Sequence, residues 1–121
     1  MTVKNLTTDQ FLPTIEKEGI VFIDWWAPWC GPCRAFGPTY DKVAAEHPEI
    51  TWAKVNTQEE PALGAQAGVR AIPTLMVFRD GILVFNQAGL LPESAMRTLV
   101  DKVQSLDMEE VKRRIEDSSA A

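Results

Sequence analysis

The sequence has few cysteines, a deficit of positive charge and no long apolar segment. Only two of its 121 residues are cysteine, so it lacks the spread of cysteines that crosslinks a small secreted domain. Its net charge of −5 repels phosphate backbones and anionic lipids, which argues against nucleic acid and membrane surfaces as partners. No stretch approaches the roughly 18 consecutive apolar residues that cross a bilayer. The two cysteines therefore need an explanation other than structural crosslinking.

The first five residues also lack an obvious targeting signal. They are mostly polar and do not contain the apolar stretch of a secretory signal. We therefore expect a cytoplasmic protein, although a chain whose signal had been removed would look the same. Because 45% of the residues are hydrophobic, a chain of this length can bury one core without metals or crosslinks. We expect one main domain and a monomer.

Apolar runs alternate with helical patterns along the chain, as in an α/β protein. Ile20–Trp26 is a nearly continuous apolar run and predicts a central strand buried on both faces. Two further runs flank Asp80-Gly81, a strong turn signal that predicts an antiparallel hairpin of Thr74–Arg79 and Ile82–Gln87. The other predicted elements are helices from Thr7, from Pro32 to about His47, over Pro61–Ala67 and from Pro92, and a strand over Thr51–Asn56. The prediction is a mixed central sheet with helices on both faces.

The apolar stripe changes direction near the C-terminus. Met108, Val111 and Ile115 lie about 100° around the helical wheel from the stripe that ends at Leu106. A single straight helix would present two different apolar faces. We therefore predict a break at residues 106–107, followed by a second short helix to about Glu116.

We expect this second helix to form an extension to the main domain. Residues 1–106 would be the main domain and residues 107–121 the extension, with a disordered end at 118–121. The extension has two interpretations: a helix packed loosely on the body, or a docking element for a partner or a second subunit. Two pairs of opposite charge four residues apart would support the helix, Glu109–Arg113 and Glu110–Arg114.

Cys30 and Cys33 lie where the buried strand gives way to the long helix. A thiol at a helix N-terminus faces free backbone N–H groups and the positive end of the helix dipole, which favours its thiolate. The spacing of three residues places both sulfurs on one side of the first helical turn. We predict that Cys30, nearer the exposed end, attacks a substrate disulfide and that Cys33 releases the reduced substrate. The alternatives are a structural thiol pair and half of a zinc site. Zinc prefers four ligands, however, and besides the two cysteines the sequence offers one histidine.

Asp24 is unusual because it is an acidic residue within the predicted buried strand. Burial of a carboxylate without a partner is costly and raises its pKa. Such a group could accept the proton of Cys33 and return it. Lys54, on a neighbouring strand, is a candidate charge partner. The alternative is an Asp24 side chain that faces solvent at a sheet edge.

The segment from Asp24 to Cys33, DWWAPWCGPC, closely resembles the active-site segment of the thioredoxin family. Pro38, Lys54, the tripeptide at 72–74 and Gly89 extend the resemblance, which covers residues from about 5 to 105. Trp25 and Gln58 depart from the family's usual residues. The resemblance implies an α/β thioredoxin fold and a protein disulfide reductase that binds no cofactor.

The resemblance also implies roles for individual residues. Cys30 would be the attacking thiol, Cys33 the resolving thiol, and Asp24 the buried acid beside Lys54. Pro73 would follow a cis peptide bond. The electrons would come from NADPH through a flavin-dependent thioredoxin reductase. Disulfide-containing protein substrates would dock on a shallow apolar surface formed by Trp29, Gly31, Pro32, Ile72, Pro73 and Gly89.

Two other functions remain open at this point. The same chemistry could run in the opposite direction, as an oxidase or isomerase, although the Gly-Pro pair between the cysteines resembles the reducing members of the family. Alternatively, the fold could serve as a binding module, such as a chaperone or a complex subunit, with redox turnover secondary.

Overall fold

The computed structural model describes residues 3–120, which form five strands and five helices. In chain order these are β1 (Val3–Asn5), α1 (Thr8–Ile15), β2 (Ile20–Trp26), α2 (Gly31–Glu46), β3 (Thr51–Asn56), α3 (Pro61–Gln66), β4 (Thr74–Arg79), β5 (Ile82–Ala88), α4 (Glu93–Gln104) and α5 (Met108–Ala120). The strands and helices predicted from sequence are all present, with closely similar bounds except at the end of α5. Across the described part of the chain, every helix is too short or too polar to span a membrane.

The five strands form one mixed sheet in the order β1-β3-β2-β4-β5. Strands β1, β3 and β2 run parallel, whereas β4 and β5 pair in antiparallel fashion, as the turn at Asp80-Gly81 predicts. Strand β2 lies in the centre of the sheet. The predicted α/β class and mixed sheet are therefore confirmed.

Alternate residues of β2 contribute to two separate cores. Phe22 belongs to the core beneath α2 and α4. Ile23 and Trp25 belong to the core beneath α1 and α3. Because side chains alternate along a strand, Asp24 lies on the same side of the sheet as Phe22, beneath α2. The fold thus places this acidic residue in an apolar layer.

Strand β1 is the one element of the described chain that the sequence pattern does not predict. It pairs in parallel with residues 52–54 of β3, with Val3 opposite Trp52. Three residues are too few to display an alternating pattern, and the partner strand lies far along the chain. Strand β1 therefore depends on a tertiary contact that a local sequence pattern does not contain.

Helices α4 and α5 are separate, as the change of apolar stripe predicts. The guanidinium of Arg79, at the end of β4, donates hydrogen bonds across the joint between them. Its acceptors are the carbonyl oxygens of Val103 at 2.6 Å, Gln104 at 3.3 Å and Leu106 at 2.9 Å. These contacts supply a charged donor to carbonyl groups at the end of α4 and just beyond it, where a helix offers few N–H partners.

Asp107 begins α5 as a capping residue. Its Oδ1 accepts hydrogen bonds from the backbone N–H groups of Glu109 at 3.1 Å and Glu110 at 3.2 Å. Within the helix, Glu110 pairs with both Arg113 and Arg114. The predicted Glu110–Arg114 pair is confirmed, whereas Arg113 pairs with Glu110 and not with Glu109. Residues three and four apart are both neighbours on a helix, so the spacing alone does not choose between them.

Helix α5 is also longer than predicted. It continues to Ala120, so the disorder predicted for residues 118–120 is wrong, and Ala121 lies outside the described residues. Extending an existing helix is far easier than starting one, and alanine is the strongest helix former. The division of the chain into a domain at 1–106 and an extension at 107–121 stays a prediction.

Candidate active site

The candidate site is built where β2 ends and α2 begins. Cys30 is the N-cap residue of α2 and is joined to Cys33 by a disulfide, with 5.2 Å between the two Cα atoms. The backbone N–H of Cys33 donates a hydrogen bond to Sγ of Cys30 at 3.1 Å. Pro32 sits at an early helical position, where its missing N–H removes no helical hydrogen bond. The predicted placement of the cysteine pair at a helix N-terminus is confirmed.

Both cysteines are nearly buried in this disulfide form. Cys30 is 5% exposed and Cys33 is 4% exposed, so the expected difference in exposure between them is absent here. The neighbouring residues are exposed instead: Trp29 is 67% exposed, and Gly31 and Pro32 are also open to solvent. A substrate would therefore contact this rim before it reaches either sulfur.

A second segment of the chain lies against the disulfide. The peptide bond between Ile72 and Pro73 is cis, as the resemblance implies. The carbonyl oxygen of Ile72 lies 3.7 Å from Sγ of Cys30, and the carbonyl oxygen of Pro73 accepts a hydrogen bond from the N–H of Gly89 at 2.8 Å. Gly89 has a φ of +96°, a conformation that residues with a Cβ rarely adopt. This segment thus places Ile72 against the cysteine pair, and a hydrogen bond joins its neighbour Pro73 to Gly89.

A shallow pocket of about 290 Å³ opens beside the disulfide. Trp29 and Ile72 line it together with mostly apolar residues of α3 and of the loop that follows. Two of the residues predicted to contact substrate, Trp29 and Ile72, therefore share this pocket. Their role in binding stays a prediction.

Asp24 is buried beneath α2, so the alternative of a solvent-facing Asp24 is wrong. The residue is 1% exposed, and its Oδ1 has no hydrogen-bond partner among the described residues. Burial raises the pKa of the Asp24 carboxyl from its ordinary 3.8 to about 7; Lys54 opposes this rise and Asp41 adds to it. A carboxyl that titrates near neutral pH can both accept and release a proton under physiological conditions.

Lys54 lies beside Asp24 in the sheet but forms its ion pair elsewhere. The Cα atoms of the two residues are partners in the parallel register of β2 and β3. The Lys54 ammonium lies 3.9 Å from Oδ1 of Asp41 on α2 and 5.7 Å from the centre of the Trp26 ring. Within residues 3–120, Asp41 is therefore the close partner of Lys54, and the predicted partnership with Asp24 is limited to a longer-range field.

Three residues near the buried carboxyl are absent from the sequence-based site. Trp26 packs against the cysteine pair, and Tyr40 is fully buried with its hydroxyl donating to the carbonyl oxygen of Ala53 at 2.8 Å. Asp41 is the third. The helical spacing could have identified Asp41, because residues 37 and 41, four and eight positions after Cys33, lie on the same face of a helix as Cys33.

Comparison with known proteins agrees with this geometry. The family model described as Thioredoxin matches residues 2–102. A Streptomyces coelicolor protein, assigned by inference as thioredoxin 2, is 41% identical over 115 residues, which cover 95% of this chain and 86% of that protein. Thioredoxin 1 of Synechococcus elongatus is 43% identical over 89 residues, covering 73% of this chain and 83% of that protein.

A solved structure gives the same result for the fold. A mutant thioredoxin from Halobacterium salinarum superimposes with a TM-score of 0.79 at 29% identity, covering 87% of this chain and 93% of that one. The predicted thioredoxin fold is therefore confirmed. The sequence match also spans the segment that carries Cys30, Cys33 and the cis proline. The chain belongs to the thioredoxin family of protein thiol–disulfide oxidoreductases.

Proposed function

We propose that this protein reduces disulfides in other proteins by a two-step exchange in which Cys30 attacks and Cys33 resolves. The observation that carries the proposal is the position of Cys30 at the N-terminus of α2, where the N–H of Cys33 donates to its sulfur at 3.1 Å. After reduction, the same donor and the helix dipole would favour a negative charge on that sulfur. Cys30 is therefore the nucleophile.

The two steps balance in atoms and electrons. In the first, the Cys30 thiolate attacks one sulfur of the substrate disulfide; a mixed disulfide forms, and the other substrate sulfur leaves as a thiolate that takes up a proton. In the second, Cys33 loses its proton and attacks Sγ of Cys30. The intramolecular disulfide forms, and the second substrate sulfur leaves as a thiolate that takes up a proton. Two electrons thus pass from this chain to the substrate, and the protons that Cys30 and Cys33 lose balance the two that the substrate sulfurs take up.

Asp24 accepts the proton that Cys33 loses in the second step. Three observations support this role: Asp24 is buried beneath α2, its pKa is about 7, and it lies on the strand that leads into the cysteine turn. We expect Asp24→Asn to slow the release of substrate from the mixed disulfide by roughly 10-fold or more, because a positioned base is lost. Rapid-quench kinetics across pH measure this rate. Resolution at the wild-type rate at every pH would contradict the proton-transfer role.

Substrates dock on the exposed rim around the disulfide. Its backbone groups near Ile72 can pair with an extended substrate segment, and the apolar pocket beside Trp29 can receive a side chain. A shallow surface that relies partly on backbone contacts favours broad specificity. The proposed docking residues are Trp29, Gly31, Pro32, Ile72, Pro73 and Gly89.

A thioredoxin reductase returns the disulfide to the dithiol, with electrons from NADPH that this chain does not itself bind. We propose a cytoplasmic location, because a reducing compartment suits a chain whose two cysteines are both in the redox pair. We also propose that the protein is a monomer. These assignments follow the properties of the family and the composition of the chain.

Covalent trapping tests the exchange mechanism. We expect Cys33→Ser to hold substrates on Cys30 as stable mixed disulfides, because the resolving thiol is missing. The matched control is Cys30→Ser, which keeps one cysteine of the pair but should trap little. Mass spectrometry of the trapped complexes counts and identifies them. Equal trapping by both variants would contradict the assignment of attacker and resolver.

Turnover with a reductase separates a working reductase from a binding module. With NADPH and thioredoxin reductase, the wild-type protein should reduce insulin disulfides over many cycles, and Cys30→Ser should not. NADPH consumption and insulin precipitation report the rate. If Cys33→Ser traps substrates but the wild-type protein does not turn over with the reductase, only the proposed recycling by thioredoxin reductase is contradicted.

A further inference from the structure

We propose that Asp41 is a positioning residue: it holds the ammonium of Lys54 away from Asp24 and so keeps Asp24 able to accept the proton of Cys33. This inference rests on the proposed role of Asp24 in the reductase cycle. It concerns the electrostatic control of that role.

The Lys54 side chain starts beside Asp24 and runs outward to α2. The two residues are direct neighbours in the register of β2 and β3, and Asp24 is 1% exposed. Exposure of the side chain increases to 19% at Lys54 and to 52% at Asp41. The Lys54 side chain thus leads from the buried Asp24 carboxyl toward the surface. Its ammonium lies at the outer end, next to the Asp41 carboxylate.

The face of α2 above this path carries Cys33, Gly37 and Asp41. These residues are spaced by four, so they lie on one side of the helix with a rise of about 6 Å between successive members. The Lys54 ammonium is 3.7 Å from the point where a Cβ of Gly37 would stand and 3.9 Å from Asp41. It therefore lies in the half of this face that is farther from Cys33. Gly37, which has no side chain, leaves room for it.

The position of the Lys54 ammonium controls how strong a base the Asp24 carboxylate is. Strand β3 contributes Lys54, and α2 contributes Asp41, Tyr40 and, in the reduced protein, the Cys33 thiol. On β4, the residue opposite Asp24 is Leu75, which does not titrate. Lys54 is thus the cation that acts on the Asp24 carboxyl. Without Asp41, its flexible four-carbon stem would allow the ammonium to approach that carboxylate and make it a weaker base.

Carboxyl NMR titration of the oxidised full-length protein tests the proposal. We expect Asp41→Asn to lower the titration midpoint of Asp24 by about half a pH unit or more, because a freed ammonium would favour the carboxylate. Lys54→Met should raise the midpoint. In the Lys54→Met background, Asp41→Asn should shift the midpoint by less than half as much, because there is no ammonium left to position.

The control variant is Asp101→Asn, which removes one negative charge from an exposed position of α4. It should leave the Asp24 midpoint where it is in the wild type. Two results would overturn the proposal: an unchanged midpoint in Asp41→Asn, or an equally large shift with and without Lys54. The second would mean that Asp41 acts on Asp24 through its own charge only.

The rate of mixed-disulfide resolution gives a second measurement. In Asp41→Asn, the acid-side inflection of this rate should move to lower pH by the same amount as the Asp24 midpoint. The NMR titration requires no turnover, so it tests the positioning role even if the reductase cycle were wrong. Failure of the cycle would show instead as failed trapping by Cys33→Ser.

Discussion

At the scale of single residues, Asp24 lowers the stability of the fold while it serves the proposed chemistry. Its pKa rises on folding from 3.8 to about 7 because the carboxyl is buried. Between these pH values, the folded protein keeps a proton that the unfolded chain has released. The stability that comes with protonated Asp24 is therefore fully present below about pH 3.8 and is lost as the pH rises to about 7. The loss amounts to about 4 kcal/mol.

We therefore predict that Asp24→Asn is more stable than the wild type at pH 8. The gain should be about 2 to 4 kcal/mol, since the neutral amide avoids the cost of a buried charge but keeps a buried polar group. At pH 4 the gain should nearly vanish. Urea unfolding at the two pH values measures it. An equal gain at both values, or one matched by the exposed control Asp101→Asn, would show that the pKa of Asp24 is not raised.

At the scale of secondary-structure elements, the sequence predicts the features that depend on residues close together along the chain. Strand β2 follows from one continuous apolar run, the hairpin from Asp80-Gly81, and the active turn from the cysteine spacing and the helix that follows. Strand β1 could not be predicted, because its three residues gain their meaning by pairing with β3. The sequence does not identify the close partner of Lys54 for a similar reason, because Asp41 reaches it only after α2 packs over β3.

The joint between α4 and α5 gives a prediction at this scale. Arg79→Met should destabilise the joint by roughly 1 to 3 kcal/mol, because three backbone carbonyl groups lose a charged donor. Amide hydrogen exchange in α5 should accelerate, while exchange in α2 stays unchanged. The control Arg114→Met removes an arginine from a single exposed ion pair of α5, where little effect is expected. Unchanged exchange in Arg79→Met would show that α5 is held by other contacts.

At the scale of the whole molecule, the buried cores exclude α5. The last buried core residue in the described chain is Val103, and Leu106 is only partly buried. Helix α5 instead faces the start of the edge strand β5 across a groove of about 520 Å³, lined by residues that include Leu83 and Ile115. The extension thus lies beside the start of the edge strand β5.

Deletion of residues 107–121 should therefore leave disulfide reduction within about twofold of the full chain, since folding of the catalytic part needs only the cores that remain. The deletion would also uncover apolar residues on an edge strand, and unprotected edges promote association between sheets. We expect association that increases with protein concentration, measured by sedimentation velocity. Adding Leu83→Lys to the shortened chain should restore a single species, because a charge on an edge strand blocks such pairing. A shortened chain that fails to fold or to reduce insulin would place the domain boundary beyond residue 106.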